Sequence, residues 1–221
     1  MSLSRRIPLA LAGFLSMALP GWAAPGAVHG DVPASIDPAA RYLIYLHGRI
    51  IEVQGRRATS PEFGRYEYDA IVQALAAKGL VVISEVRGAD TGPAYAKRVA
   101  GQVRKLMAGG VPADHITVAG FSKGGFLARA AAADLGNPAV RFVIMAGCGP
   151  GGDESSKPGA LKGRILSLYD ASDEMARSCR RLFAPGTQTK EVRLTTGLRH
   201  GLFFRPRPEW VDLVGDWALR P

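Results

Sequence analysis

Six short, mostly apolar runs alternate with helix-periodic stretches along nearly the whole chain, and this alternation leaves few folds open. The runs are "RYLIYLHG", ending at Gly48, then "LVVISEV", "HITVAG", "VRFVIMAG", "GRILSLYD" and "KEVRLTT". Between them, "YEYDAIVQALAAKG" spaces Tyr68, Ile71, Val72 and Leu75 on one helical face, and "AYAKRVAGQVRKLMAGG" does the same with Tyr95, Val99, Val103 and Leu106. "GFLARAAAADLG", "DEMARSCRRLF" (a short one) and "PEWVDLVGDWAL" are the remaining expected helices, the last with Pro208 near its start. The segment after Gly48 reads as a polar, glycine-containing loop. Most of the strands are continuously apolar instead of alternating, so both of their faces must be buried. That predicts an α/β fold, a mostly parallel central sheet with helices on both faces. No internal repeat and no domain linker interrupts it, and the span between Gly147 and Arg164 leaves no room for a large cap domain.

The first residues read differently. Arg5 and Arg6 precede an uncharged apolar run from Ile7 to Leu19, followed by Pro20, Gly21 and the small residues Ala23 and Ala24. A charged start, an apolar middle and a small-residue cleavage point predict a signal peptide over 1–24, with one domain over 25–221. A membrane anchor is the competing reading, but the run is short for about 30 Å of hydrocarbon and Pro20 breaks it. The expected location is therefore periplasmic or secreted, with no stable membrane span after cleavage. The twin arginine leaves the export route open.

Charge and cysteine content narrow the partners. The formal charge is +9, and +7 without Arg5 and Arg6. Basic residues are scattered, with no basic run interleaved with aromatics, so no nucleic-acid partner is expected. Cys148 and Cys179 are the only cysteines. In an exported protein an even pair suggests a disulfide, with two buried free thiols as the alternative.

Sites in parallel α/β sheets form where strands end and helices begin. The polar residues at such ends are His47 and Arg49, Arg87, Ser122 and Lys123, Asp170 and Asp173, and His200. Ser122 lies in Gly-x-Ser-x-Gly, a pattern that a chain this rich in glycine produces by chance about 0.2 times. Its context carries more weight. A strand must reverse into a helix here, and Gly120, Gly124 and Gly125 permit a tight turn and close packing. A serine hydroxyl needs a neighbouring base to attack. Of the four histidines, His29 is in the lead segment, His115 starts the Ser122 strand at the wrong end, and His47 precedes Gly48. His200, between Gly197 and Gly201 after the last strand, is the remaining base. The acid that would orient it is Asp173 or, as runner-up, Asp170.

In these residues the chain resembles the α/β-hydrolases, whose nucleophile, acid and histidine follow in the order of Ser122, Asp173 and His200. The resemblance spans about residues 41–218 and is nearest to small, lidless members of the dienelactone-hydrolase or esterase kind. It favours Asp173, because that family's acid usually lies a few residues past its strand. It also implies an oxyanion hole made by the backbone N–H groups of Arg49, after "HG", and of Lys123. The family's first antiparallel strands are expected to be missing or very short. The implied activity is a serine hydrolase cleaving a small-molecule ester or thioester through an acyl-enzyme, with no cofactor and no metal. Amidase or acyltransferase chemistry would use the same residues, and a non-catalytic envelope binding protein would keep only the fold. His47, Tyr95, Phe121 and Phe203 are candidate pocket residues, with Phe121 and Phe203 equally readable as core.

Two other motifs fail on context. "GCGPGG" fits a dinucleotide fingerprint, but Pro158, Gly159 and Gly163 oppose the helix it requires. A redox role for the cysteines lacks a C-x-x-C pair.

Overall fold

The computed structural model describes residues 26–89, 91–149 and 158–220. The expected signal peptide and most of the "GCGPGG" motif's downstream segment lie outside them. Seven strands form one sheet in which every pairing is parallel: β1 (Val28–His29), β2 (Tyr42–Leu46), β5 (Val81–Ile83), β6 (Ile116–Phe121), β7 (Arg141–Met145), β8 (Arg164–Asp170) and β9 (Thr189–Leu194). A separate two-residue ribbon pairs β3 (Thr59–Ser60) with β4 (Gly64–Arg65) antiparallel. The helices are α1 (Arg49–Gln54), α2 (Tyr68–Ala76), α3 (Tyr95–Ala108), α4 (Lys123–Leu135) and α5 (Pro208–Leu219).

Side-chain alternation divides the interior into two cores. Leu43, Tyr45, Val82, Ala119, Phe121, Val143 and Leu166 point to α2 and α5, where Trp210 and Val214 are fully buried. Tyr42, Ile44, Val81, Val118, Phe142 and Ile165 point to α3 and α4. The sheet is therefore buried on both faces, which is why its strands read as unbroken apolar runs.

The sheet order is β1-β5-β2-β6-β7-β8-β9. From β2 the chain moves outward to β5, then returns across β2 to β6 and continues the other way. The carboxyl ends of β2 and β6 thus flank a topological switch point, the place where open α/β sheets form a crevice. Because all strands run the same way, the residues after β2, β5, β6, β8 and β9 share one edge. No helix among the described residues is long and apolar enough to cross a membrane.

Two expectations need correction. The segment after Gly48 is not all loop, since Arg49–Gln54 closes a helix. The expected helix over "DEMARSCRRLF" is absent apart from a 3₁₀ turn at Arg180–Leu182. Its amides are claimed elsewhere: Met175 N–H by the Asp173 carboxylate, Arg177 N–H by the Cys148 carbonyl, and Cys179 N–H by Glu191. The first antiparallel strands, expected to be missing or very short, do not precede β2 among the described residues: β1 is two residues long and pairs parallel with β5.

Candidate active site

Ser122 stands at the switch point, between the end of β6 and the first residue of α4. Its φ is +53°, a left-handed conformation that a residue with a side chain seldom adopts. Its N–H donates to the Met145 carbonyl of β7 at 2.9 Å, which anchors the strained turn to the sheet. The flanking glycines are required by backbone contact. A Cβ on Gly120 would lie 2.1 Å from the Gly124 carbonyl oxygen, and one on Gly124 would lie 1.9 Å from that of Leu46. The β6–α4 turn is pressed directly onto the end of β2.

That contact brings "HG" beside the serine, so that a Cβ on Gly48 would fall 3.7 Å from the Ser122 Cβ. Arg49 and Lys123 each occupy the first position of a helix, where backbone N–H groups have no intrahelical acceptor. Neither N–H is engaged by another described residue. Both residues line, with Ser122, Gly147 and Met175, an open cleft of about 620 Å³.

His200 lies in the 3₁₀ segment Arg199–Phe204 and is nearly buried. Its Nδ1 is 2.7 Å from Asp173 Oδ2, while Asp173 Oδ1 accepts from the Met175 N–H at 3.0 Å. The ring of Phe121, the residue just before Ser122, sits 4.7 Å from the imidazole. The Ser122 hydroxyl makes no hydrogen bond among the described residues.

Asp170 is committed elsewhere. One of its oxygens accepts from the Ser172 N–H and hydroxyl, the other from the Thr196 N–H and hydroxyl. Burial works to raise its pKa, but these four donors outweigh it and leave the carboxyl below its usual range. Asp170 therefore ties the loop that follows β8 to the loop that carries His200. Cys148 and Cys179 form a disulfide that pins the far end of the Asp173 loop to the end of β7.

The candidate pocket residues lie mostly inside the protein. Phe121 and Phe203 are core residues whose rings stack 5.3 Å apart. His47 is fully buried, with Nε2 accepting from the Arg87 N–H at 3.0 Å and Nδ1 donating to the Gly48 carbonyl at 2.9 Å. Burial first, and then the Arg87 charge, push its pKa down to about 3, so it is neutral and structural. Tyr95 is half-buried and covers Arg87, whose guanidinium lies 5.5 Å from its ring centre. The cleft itself is lined by Phe126, Arg129 and Met175, which sequence reading did not single out. It also missed Glu52, a buried carboxylate on α1. No pattern marks it, because "RIIEVQ" gives no periodicity long enough to assign a buried face.

No protein-family model and no curated protein matches the sequence. Solved structures do match the fold. The 2,6-dihydroxy-pseudo-oxynicotine hydrolase superposes with a TM-score of 0.53 at 18% identity over 85% of this chain. This chain spans 63% of that protein's length. A putative dienelactone hydrolase from Klebsiella pneumoniae gives 0.53 at 16% identity, covering 85% of this chain and 90% of the other. An arylesterase gives 0.56 at 15%, covering 84% and 78%. The architecture is the α/β-hydrolase fold.

Proposed function

We propose that this chain is an exported serine hydrolase that cleaves a small-molecule ester or thioester. The observation that carries the reading is the Asp173–His200 contact of 2.7 Å, made at the same sheet edge as a serine held at φ +53°. With Nδ1 engaged by the carboxylate, Nε2 is the nitrogen left to take the Ser122 proton. Ser122 Oγ then attacks the acyl carbon, and the oxyanion gathers the N–H groups of Arg49 and Lys123, each worth about 2.7–4 kcal/mol in such sites. The protonated His200 returns its proton to the leaving alcohol or thiol, and water activated by the same nitrogen releases the acid. The fold shared with esterases and hydrolases agrees with this chemistry. The charged start and apolar run of the first 24 residues support export.

A fluorophosphonate tests it. Intact mass should show one adduct on the wild type, formed with loss of fluoride, and none on Ser122→Ala. A wild type that stays unlabelled and does not turn over p-nitrophenyl or thioester substrates would sink the reading.

A further inference from the structure

The charged cluster beneath the cleft has no part in the proton transfers above. The Glu52 side chain is fully buried on α1, a six-residue helix with no side-chain cap. A buried charge is costly unless paired and hydrogen-bonded. Its oxygens are shared between cations from two other elements: Oε1 accepts from Arg87 Nε at 3.0 Å, and Oε2 from Lys123 Nζ. Arg87 comes from the loop after β5 and is itself buried. Its guanidinium donates to the His47 carbonyl, and its backbone N–H holds the His47 ring.

Each anchor belongs to one half of the oxyanion hole. Glu52 sits three residues after Arg49 on the same short helix. Lys123 supplies the second backbone donor, and its side chain reaches across to Glu52. We propose that Glu52, Arg87 and the Lys123 side chain are positioning residues that hold the two oxyanion donors in register. The inference rests on the serine-hydrolase reading. A helix as short as α1 does not hold its own geometry, and an oxyanion hole works only if its donors are fixed before charge develops. Mere stability would be served as well by apolar residues of similar volume. The three side chains also leave one net positive charge next to the site where the oxyanion forms.

Lys123→Met is the informative variant, because it keeps the backbone N–H and leaves the Glu52–Arg87 pair intact. On a p-nitrophenyl ester, kcat should fall about 10- to 100-fold, below the 10²–10³ that loss of a whole donor costs. KM should stay within about twofold, the melting temperature should barely move, and Lys123→Arg should restore most of the rate. Hydrogen exchange over residues 49–54 should quicken in Lys123→Met alone. An unchanged kcat in a wild-type-like, fluorophosphonate-reactive protein would overturn the proposal, as would a loss that Lys123→Arg does not rescue. Should the wild type itself prove unreactive, the hydrolase reading falls, and unchanged exchange over 49–54 would then refute the positioning role independently.

Discussion

The two sides of the candidate site are built by different means. The nucleophile side, from Leu46 to Arg49 and from Gly120 to Gly125, is a contact of backbone on backbone. Gly120 and Gly124 are there because a Cβ would strike a carbonyl oxygen about 2 Å away, and one on Gly125 would meet the Gly147 backbone at 2.7 Å. The acid–base side, from Asp170 to Cys179 and from Thr196 to Phe204, is loop held by side chains. Asp170 binds Thr196, the Cys148–Cys179 disulfide pins one end, and Phe121 supports the imidazole. A backbone contact admits almost no substitution. A side-chain-held loop can lose one tie and keep its course.

The largest effect should come on the acid–base side, in rate. Asp173→Asn should cost about 10⁴ in kcat by losing the correct imidazole tautomer, with little change in melting temperature. Asp170→Asn should keep kcat within about tenfold but lose about 1–3 kcal/mol of stability in urea, because charge-assisted bonds to Thr196 and Ser172 weaken. If Asp170→Asn is the variant that abolishes turnover, the two acids have been assigned the wrong way round.

On the nucleophile side the corresponding loss should be in folding. Gly124→Ala puts a methyl 1.9 Å from the Leu46 carbonyl oxygen, where only backbone can move. It should destabilise by about 4 kcal/mol or more, read from urea midpoints or from loss of soluble protein. A stable Gly124→Ala would erase the contrast between the two sides.

The disulfide closes a loop of 31 residues in sequence separation. Replacing both cysteines by serine should cost about 3–4 kcal/mol. The weakened loop is the one that carries Asp173, so activity in mild urea should fail before global unfolding does.

The last effect is one of pH and reads a single buried group on the nucleophile side. The pKa of His47 is about 3 in the folded chain against about 6.5 unfolded. Between those values only the unfolded state takes the proton, so stability is lost as pH falls from about 6.5 and the loss ends near 3. The slope is about 1.4 kcal/mol per pH unit. A urea series on His47→Gln, which does not titrate, should be flatter over that window. Equal slopes would mean that His47 is not the buried neutral group its contacts describe.

Legibility in the sequence follows the same division. The strands from Tyr42 to Asp170 were readable because burial on both faces leaves continuous apolar runs. The Ser122 turn was readable because its sterics demand glycine at fixed offsets. The short helix expected after Asp173 was not realised, since the Cys148 carbonyl, Glu191 and the Asp173 carboxylate take the amides that a helix would have used. Helix α1 escaped notice because six residues carry too little periodicity. His47 looked like a site residue by its position at a strand end, and only its burial and its bond to the Arg87 N–H made it structural.

By itself, then, the sequence determined the parallel sheet, the edge at which polar residues gather and the chain order of Ser122, Asp173 and His200 along it. Those are matters of local period and chain direction. Which aspartate meets His200, and that Glu52 joins Arg87 to Lys123, were decided only in the folded chain. Both depend on contacts between residues 27 to 71 positions apart in the chain, where no local pattern reports which donors reach a carboxylate first.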